Sequence, residues 1–411
     1  MRIEHVESFL LSYPMPKPVV LPYWGGERTI VKRDAMLIRV QADNGLVGYG
    51  PGQGSETAHA NVRDVIAPFL TGRRLADPDA LRVLFMNGPG ADPEVFKAYC
   101  STEVALYDLL GKSLGAPVSE LVGGRARDTI LLYGSAGMYQ SPESYAEEAA
   151  AIAGLGFRAY KMRPALGPDE DIRTVELMRK AVGPGVDLMV DAHSWWRMGD
   201  RSYDAATVAR LAEAFAAHDV AWLEEPLPPQ DHAAYAALRA LGHLPIATGE
   251  HEPGEAGFLD LIARDCADFI QADVVCQGGF NTSRRLFGEI ARAGLKFAFH
   301  CWGTDLEVLA AAHLGVCWPE AVVEWLEYPV YTSERVKSMY PFPLATEILK
   351  QPLDIVDGAL AVPTGPGLGI DADESVIERY PWIPGPWSFF KLTSPPGTFA
   401  VISDHSVPWA G

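Results

Sequence analysis

The chain has 411 residues, of which 48% are hydrophobic and 21% are charged, proportions that are typical of a globular enzyme and exclude a largely disordered chain. Its 53 acidic and 34 basic residues give a formal net charge of −19. Because a field of that sign repels phosphate backbones and anionic lipid surfaces, we expect neither nucleic acid nor a membrane as a partner.

The first 125 residues have a mixed α and β pattern. Residues 1–13 alternate like a strand, and two further strand-like runs flank Asp43-Asn44-Gly45, which is a strong hairpin signal. Helical patterns follow at residues 57–70, 78–86 and 93–114. Gly115-Ala116-Pro117 ends the last of these helices.

From Ile130 onwards, short apolar runs alternate with Ala-rich helical stretches. Eight runs are strand candidates, at residues 131–134, 159–163, 187–191, 220–224, 245–248, 269–273, 296–300 and 322–327. Most gaps between them hold an amphipathic helix, as at 144–153, 169–181, 205–217 and 283–293. Eight such units predict a parallel α/β barrel enclosed by helices. We expect a barrel domain over 126–330 and an α+β domain over 1–125, completed by residues from about 331 to 411.

Polar and titratable residues occupy the ends of seven of these strands. They are Lys161 and Arg163, Asp191 and His193, Glu224 and Glu225, Glu250 and His251, Asp273, His300, and Glu327. Successive positions lie about one βα unit apart, so in a barrel they converge on the C-terminal face, where barrel active sites lie. A single carboxylate after a strand is often a helix N-cap, but ionisable groups on successive strands are harder to explain by capping.

Three of these carboxylates, Asp191, Glu224 and Glu250, end consecutive strands. Crowded carboxylates repel one another, and a hard divalent cation relieves the repulsion. Mg²⁺ fits such an oxygen-rich set, because it takes few protein carboxylates and fills its other positions with water and substrate. Mn²⁺ could replace it.

Several of these runs resemble motifs of the enolase superfamily, in particular its mandelate racemase/muconate lactonizing enzyme branch and the mandelate racemase subgroup. Residues 222–226 (WLEEP), Val190-Asp191 and Thr248-Gly249-Glu250 are similar to its metal-binding pattern. Residues 161–163 (KMR) match its K-x-K position with an altered last residue, and residues 363–369 resemble its P-x-G-P-G-x-G stretch. The resemblance spans about residues 1–375. It implies a modified (β/α)7β barrel capped by an α+β domain.

The resemblance also implies a chemistry, the abstraction of a proton α to a carboxylate to give an enediolate held on Mg²⁺. That proton is very weakly acidic, so the charge that develops has to meet a preplaced cation. The implied ligands are Asp191, Glu224 and Glu250. Glu225 is expected to support the site, although either glutamate of the adjacent pair could coordinate.

His300 is the best candidate for the base, because imidazole titrates near neutrality and Asp273, at the family's dyad position, can orient it. Arg163 replaces the family's second lysine, and a guanidinium is a poor base but a good partner for a carboxylate or an oxyanion. This departure argues against racemisation with two bases. Lys161 is expected to stabilise the enediolate. If the motif is shifted by two residues, Lys161 is instead the base.

Asp191-Ala192-His193 resembles the D-x-H of family members that dehydrate sugar acids, in which the histidine protonates the departing hydroxyl. The match implies that role for His193. Glu327 is expected to contact the substrate carboxylate or enediolate as a protonated acid, with Glu324 as the competing choice. The remaining candidates for substrate contact are His251, with Tyr23 and Trp24 on a cap loop, and Trp195, for which interface packing is the alternative.

The leading expectation is a magnesium-dependent dehydratase of a small-molecule sugar acid, a lyase that forms a 2-keto-3-deoxy acid. One alternative is a racemase, epimerase or cycloisomerase of the same family that uses Lys161 and His300. Another is a noncatalytic sugar-acid-binding barrel, and a hydrolytic barrel is disfavoured because the sequence contains no HxH or HExxH motif. Five scattered cysteines without a CxxC pair favour a cytoplasmic protein. The family resemblance suggests a homo-oligomer.

Overall fold

The structure is a computed structural model that describes residues 1–392 and 399–402. Its strands are β1 Ile3–Tyr23, β2 Gly26–Ala42, β3 Val47–Gly52, β4 Thr129–Met138, β5 Ala159–Arg163, β6 Asp187–Asp191, β7 Val220–Glu224, β8 Ile246–Thr248, β9 Phe269–Ala272, β10 Lys296–Phe299, β11 Val323–Pro329, β12 Ile355–Val356, β13 Ala359–Ala361, β14 Ser388–Leu392 and β15 Phe399–Ile402. Its α-helices are α1 Glu56–Asn61, α2 Ala67–Leu70, α3 Pro78–Met86, α4 Pro93–Leu114, α5 Val118–Leu121, α6 Pro142–Gly154, α7 Pro168–Val182, α8 Ala205–Ala216, α9 His232–Ala240, α10 Glu255–Ala263, α11 Gly279–Ala293, α12 Asp305–Gly315, α13 Pro343–Glu347 and α14 Val376–Arg379.

Eight parallel strands close into a barrel. Strands β4 to β11 pair in chain order, and β11 returns to pair with β4. Seven helices, α6 to α12, connect them, so the predicted (β/α)7β architecture is confirmed. The interior below the barrel mouth is filled by apolar side chains that face one another, among them Tyr133, Met189, Trp222, Phe269 and Trp325. This packing makes the barrel a solid core whose open end can carry a site.

An antiparallel sheet caps the barrel. In it β2 pairs with β1, β3 and β14, so a strand from the end of the chain joins the first elements. The predicted first strand stopped at Tyr13, whereas β1 continues to Tyr23 with an irregular register between Pro14 and Val19. Prolines are tolerated there because β1 is an edge strand. The prediction of a loop at Tyr23 was therefore wrong, and only Trp24 and Gly25 form the turn.

The helices of the cap agree with the sequence pattern. Asp92 caps α4 by accepting backbone hydrogen bonds, and Gly115 ends it in the left-handed conformation with φ of 68°. The pattern at 57–70 forms α1 and α2, joined by one turn of π-helix at 62–66. All five cysteines are free thiols. None of the described helices combines the length and apolar character that crossing a membrane requires.

The buried carboxyl of Asp305, the first residue of α12, gives a prediction about stability. It is 6% exposed, and burial raises its pKa to about 7. Because the unfolded carboxyl titrates near 4, the folded chain binds more protons between about pH 4 and pH 7, and its stability falls as the pH rises. In Asp305→Asn, we expect the change in the free energy of unfolding over this pH range to be smaller than in the wild type by on the order of 3 kcal/mol.

Urea unfolding at pH 5 and pH 8 measures the effect as the difference between the wild type and the variant. Asp169→Asn is the matched control, since the Asp169 side chain is 96% exposed. Equal pH dependence in all three proteins would contradict the assignment.

Candidate active site

The polar strand ends meet at the barrel mouth, as the sequence indicates. Asp191 and Glu224 lie side by side in register on β6 and β7, and both face the interior because Met189 and Trp222, two residues earlier, do so. One pocket between the barrel and the cap is lined by eight of the predicted site residues: Tyr23, Arg163, Asp191, His193, Glu250, His251, Asp273 and His300. Lys161, Glu224 and Glu327 are fully buried at the same end.

His300 and Asp273 form a close pair in the pocket wall. His300 Nδ1 lies 3.0 and 2.9 Å from the two carboxylate oxygens of Asp273, which fixes the ring. Its Nε2 lies 3.3 Å from Glu250 and 3.7 Å from Glu327. Burial alone would lower the pKa of His300, but the charges of Asp273, Glu250 and Glu327 raise it well above its usual value. The ring is thus oriented and made more basic by its neighbours.

Lys161 is surrounded by carboxylates. Its Nζ lies 2.6 Å from Glu224, 2.9 Å from Glu327 and 3.6 Å from Asp191. Burial alone would raise the pKa of Glu327, but Lys161, His300 and Arg163 hold it at about 2. These cations favour the ionised form of Glu327, whereas a protonated acid was expected from the sequence.

The competing choice, Glu324, lies near the start of β11 and binds Lys296, also at the start of its strand, at 2.6 Å. The start of a barrel strand lies at the end opposite the active-site mouth. Of the two glutamates, only Glu327 belongs to the cluster at the mouth.

Arg163 binds two of the site's carboxylates. Its Nε lies 3.1 Å from Asp191, and one terminal nitrogen lies 3.2 Å from Glu327. The other terminal nitrogen donates to the Ser135 hydroxyl at 3.1 Å, and the guanidinium lies 4.1 Å from the centre of the Trp302 ring. Held in this way, it is a fixed cation at the pocket rather than a group that can exchange protons.

His193 and His251 each bind a carboxylate beside the pocket. His193 Nδ1 lies 2.7 Å from Asp191. His251 Nδ1 lies 2.6 Å from Glu225, and its Nε2 accepts from Arg197 at 2.9 Å. Both nitrogens of His251 are thereby engaged with the protein, whereas His193 has one of its nitrogens bound to Asp191.

The carboxylates of the site suit a divalent cation. Six carboxylates gather here (Asp191, Glu224, Glu225, Glu250, Asp273 and Glu327), and the permanent cations that contact them are Lys161 and Arg163, with His193, His251 and His300 as their other partners. The carboxylates therefore outnumber the permanent cations that contact them. Burial, with the repulsion of Asp191 and Glu250, raises the pKa of Glu224 to about 8 although Lys161 opposes the shift. Glu250 Oε2 is buried and accepts no hydrogen bond within the described chain.

Among the described residues, one group at the site has ligand atoms spaced closely enough to hold such an ion. The potential ligand atoms of Glu225, Glu250 and His251 all lie within 4.8 Å of one another. The predicted ligand group, Asp191, Glu224 and Glu250, also contains Glu250. Lys161 contacts both Asp191 and Glu224. All of these ligands except His251 are hard oxygens of the kind that Mg²⁺ prefers.

The two tryptophans predicted to contact substrate do not line the pocket. Trp195 is fully buried, with its ring 5.1 Å from Tyr203 and 6.1 Å from Phe215. Trp24 is 42% exposed and lies under the guanidinium of Arg201. Both predictions were wrong: Trp195 fills the core behind the loop after β6, and Trp24 lies in the turn after β1.

Three further residues at the site were missed from the sequence. Ser135 donates to Glu327 at 2.5 Å, and it could have been found because it directly follows the first predicted strand run, 131–134, one unit before Lys161. Trp302, two residues after His300, follows the same rule of strand ends. Arg197 gave no signal, because its role depends on how the loop after β6 folds back over Glu225.

Comparisons with known proteins agree with this fold. The family model described as enolase C-terminal domain-like matches residues 144–376, and that of the mandelate racemase/muconate lactonizing enzyme N-terminal domain matches residues 12–123. The chain is 27% identical to D-galactarolactone cycloisomerase of Agrobacterium fabrum, over 92% of this chain and 99% of the relative. It is 30% identical to L-rhamnonate dehydratase of Saccharopolyspora erythraea, over 84% of this chain and 85% of the relative. It is similar to the crystal structure of an enolase superfamily member from Polaromonas sp. JS666, with a TM-score of 0.81 and 27% identity. The match covers 94% of this chain and 99% of that one.

Proposed function

We propose, from the premise that this chain belongs to the mandelate racemase/muconate lactonizing enzyme family of the enolase superfamily and is an enzyme, that it dehydrates a sugar acid. Relatives include both dehydratases and a cycloisomerase, so family membership alone leaves the reaction open. The choice between these reactions depends on what the pocket offers the substrate.

One observation supports dehydration most directly. His193 follows β6 and His300 follows β10, and these two strands are four positions apart in a closed ring of eight. The two imidazoles therefore approach the pocket from opposite sides of the barrel, and both line it. Removal of a proton from one face of a substrate and protonation of a leaving group on the other need such a pair.

The proposed steps use residues of this chain in order. His300 takes the proton from the carbon next to the carboxylate when the ring is deprotonated, a form that its raised pKa shifts to higher pH, and the electrons of that C–H bond move towards the carboxylate. Lys161 and Arg163 provide positive charge there. The electrons then form the C=C bond as the β-hydroxyl leaves, and His193 protonates the hydroxyl so that it departs as water. The resulting enol tautomerises to a 2-keto-3-deoxy acid.

We propose Asp191, Glu224 and Glu250 as the residues that hold Mg²⁺. Asp191 and Glu224 share one register and one face, whereas Glu225 lies 2.6 Å from His251 Nδ1. When bound, the ion would supply charge against the second negative charge that develops on the substrate carboxylate.

The function is tested by incubating the protein with Mg²⁺ and a library of sugar acids. We expect at least one member to lose water and give a 2-keto-3-deoxy product, detected by mass spectrometry. Failure of every member to lose water would contradict dehydration. A product of unchanged mass would instead establish racemisation, epimerisation or cycloisomerisation.

The role of His193 gives a separate prediction. We expect His193→Asn to lower the rate of water loss by about 100-fold or more, because proton donation to a leaving group contributes on this scale. Exchange of the α-proton with D₂O, measured by NMR, should continue because His300 and Asp273 are unchanged. Loss of exchange and elimination to the same extent would contradict the separation of the two roles.

A further inference from the structure

The cap contributes one wall of the pocket, and two polar residues stand on it. Tyr23 ends β1 and Arg28 lies near the start of β2, and both line the pocket. In the β1–β2 hairpin, Leu21 pairs with Arg28 and Tyr23 pairs with Gly26, which puts Tyr23 and Arg28 on the same face as diagonal neighbours. They are only 8% and 7% exposed.

Arg28 is a buried cation without an anionic partner in the part of the chain that the structure describes. Its guanidinium lies 4.6 Å from the centre of the Trp387 ring and 4.7 Å from that of Phe390, and one nitrogen makes a weak contact with the Met138 sulfur at 3.7 Å. Its Nε is buried without a hydrogen-bond partner. Burial lowers the pKa of Arg28 to about 10. Arg163, by contrast, is neutralised by two carboxylates.

Tyr23 adds a second unsatisfied group to the same wall. Its hydroxyl is buried and has no hydrogen-bond partner among the described residues. The Phe390 ring packs against both side chains, edge-on to Tyr23 at 6.3 Å between ring centres and beneath the Arg28 guanidinium. A buried cation and a buried hydroxyl that both lack partners are costly unless a ligand completes them.

We propose that Tyr23 and Arg28 bind a second anionic group on the substrate, at the end that faces the cap. The favoured group is a carboxylate, so the substrates are sugar acids with a carboxylate at each end. A planar guanidinium with one additional hydroxyl donor matches the two oxygens of a carboxylate. Phosphate is the competing anion, and the test below distinguishes it from a carboxylate. The inference rests on the proposed function for the opposite end of the substrate.

The test measures binding rather than turnover. The proposed anion subsite can therefore be tested even if the reaction is not a dehydration. Dissociation constants are measured by calorimetry, with Mg²⁺ present and in a His300→Asn background that prevents turnover. The probes are three matched pairs that differ only at the far end: galactarate and galactonate, glucarate and gluconate, mannarate and mannonate. We expect the dicarboxylate to bind at least about tenfold more tightly in one or more pairs.

Arg28→Gln should bring that ratio to about threefold or less, mainly by weakening the dicarboxylate. Tyr23→Phe is the second variant, which loses one hydroxyl and no charge, and should reduce the ratio by a smaller factor. Arg33→Gln is the matched control. Arg33 lies on the same strand, is equally buried and also lies over Trp387, but it donates to Tyr340 and does not line the pocket. Its loss should leave the ratio unchanged.

Each outcome decides the proposal. Equal binding within all three pairs, a ratio that survives Arg28→Gln, or no binding of any dicarboxylate would overturn it. Tighter binding of 6-phosphogluconate than of the dicarboxylates, lost in Arg28→Gln, would retain the anion subsite and replace the carboxylate with phosphate. A dicarboxylate preference without loss of water in the wild-type protein would support the subsite and contradict dehydration.

Discussion

Replacing His300 with asparagine should lower the rate of α-proton exchange with D₂O by about 1,000-fold or more. A positioned base contributes a factor on the order of 10²–10⁴ to the rate of such a step. Among the histidines of the described site, His300 alone contacts both oxygens of one carboxylate and lines the pocket. Asparagine is close in size to histidine and cannot take up the proton. NMR of a bound sugar acid in D₂O measures the exchange directly.

Two further variants test whether the loss of α-proton exchange is specific to His300 and Asp273. Asp273→Asn should lower exchange less than His300→Asn, because it removes the orienting charge and leaves the imidazole. His218→Asn is the control, since His218 precedes β7 at the opposite end of the barrel from the site. Exchange that persists in His300→Asn would point to another base, with Lys161 as the first candidate.

Loss of one proposed ligand should weaken Mg²⁺ binding more than any other single change. We expect Glu224→Gln and Glu250→Gln each to raise the dissociation constant by more than about 100-fold, because even residues that only support a ligand contribute about 10- to 100-fold. The amide keeps the shape of the side chain and removes the charge. Calorimetry with Mg²⁺ measures the constants, and chelation of the ion from the wild-type protein should abolish turnover until Mg²⁺ is restored.

Glu225→Gln is the discriminating comparison, because Glu225 is adjacent to Glu224 and equally buried. If Asp191, Glu224 and Glu250 hold the ion, this variant should lose less affinity than Glu224→Gln. A greater loss in Glu225→Gln, together with a comparable loss in His251→Asn, would move the ion to Glu225, Glu250 and His251, whose ligand atoms lie within 4.8 Å of one another.

The barrel was predictable because its signal is repeated. Each strand is a short apolar run followed by a polar end, and eight repeats specify both the fold and the edge at which the polar ends meet. The long β1–β2 hairpin was not predictable beyond Tyr13, because its continuation contains four prolines and is held by pairing with β2 rather than by its own pattern. The domain boundaries near residues 125 and 330 and the homo-oligomer stay predictions.

Within the site, the sequence indicated which residues gather but not how they share charge. Lys161 and Glu327 were both expected at the site, yet the preference of Glu327 for its ionised form follows from its contacts with Lys161, His300 and Arg163, which the sequence does not show. For Trp195, the sequence failed to indicate even whether the residue belongs to the site. Its position beside His193 suggested a pocket residue, but the loop after β6 turns it into the core.

The pairing of β14 with β2 has a consequence for how the protein is made. Because Trp387 and Phe390 complete a wall of the pocket, residues 387–390 must emerge from the ribosome before that wall exists. Synthesis proceeds at about 5–20 residues per second, and earlier segments fold first. The barrel can therefore close several seconds before this wall is complete, so a nascent chain would acquire the proposed catalytic residues before the proposed subsite for the far end of the substrate.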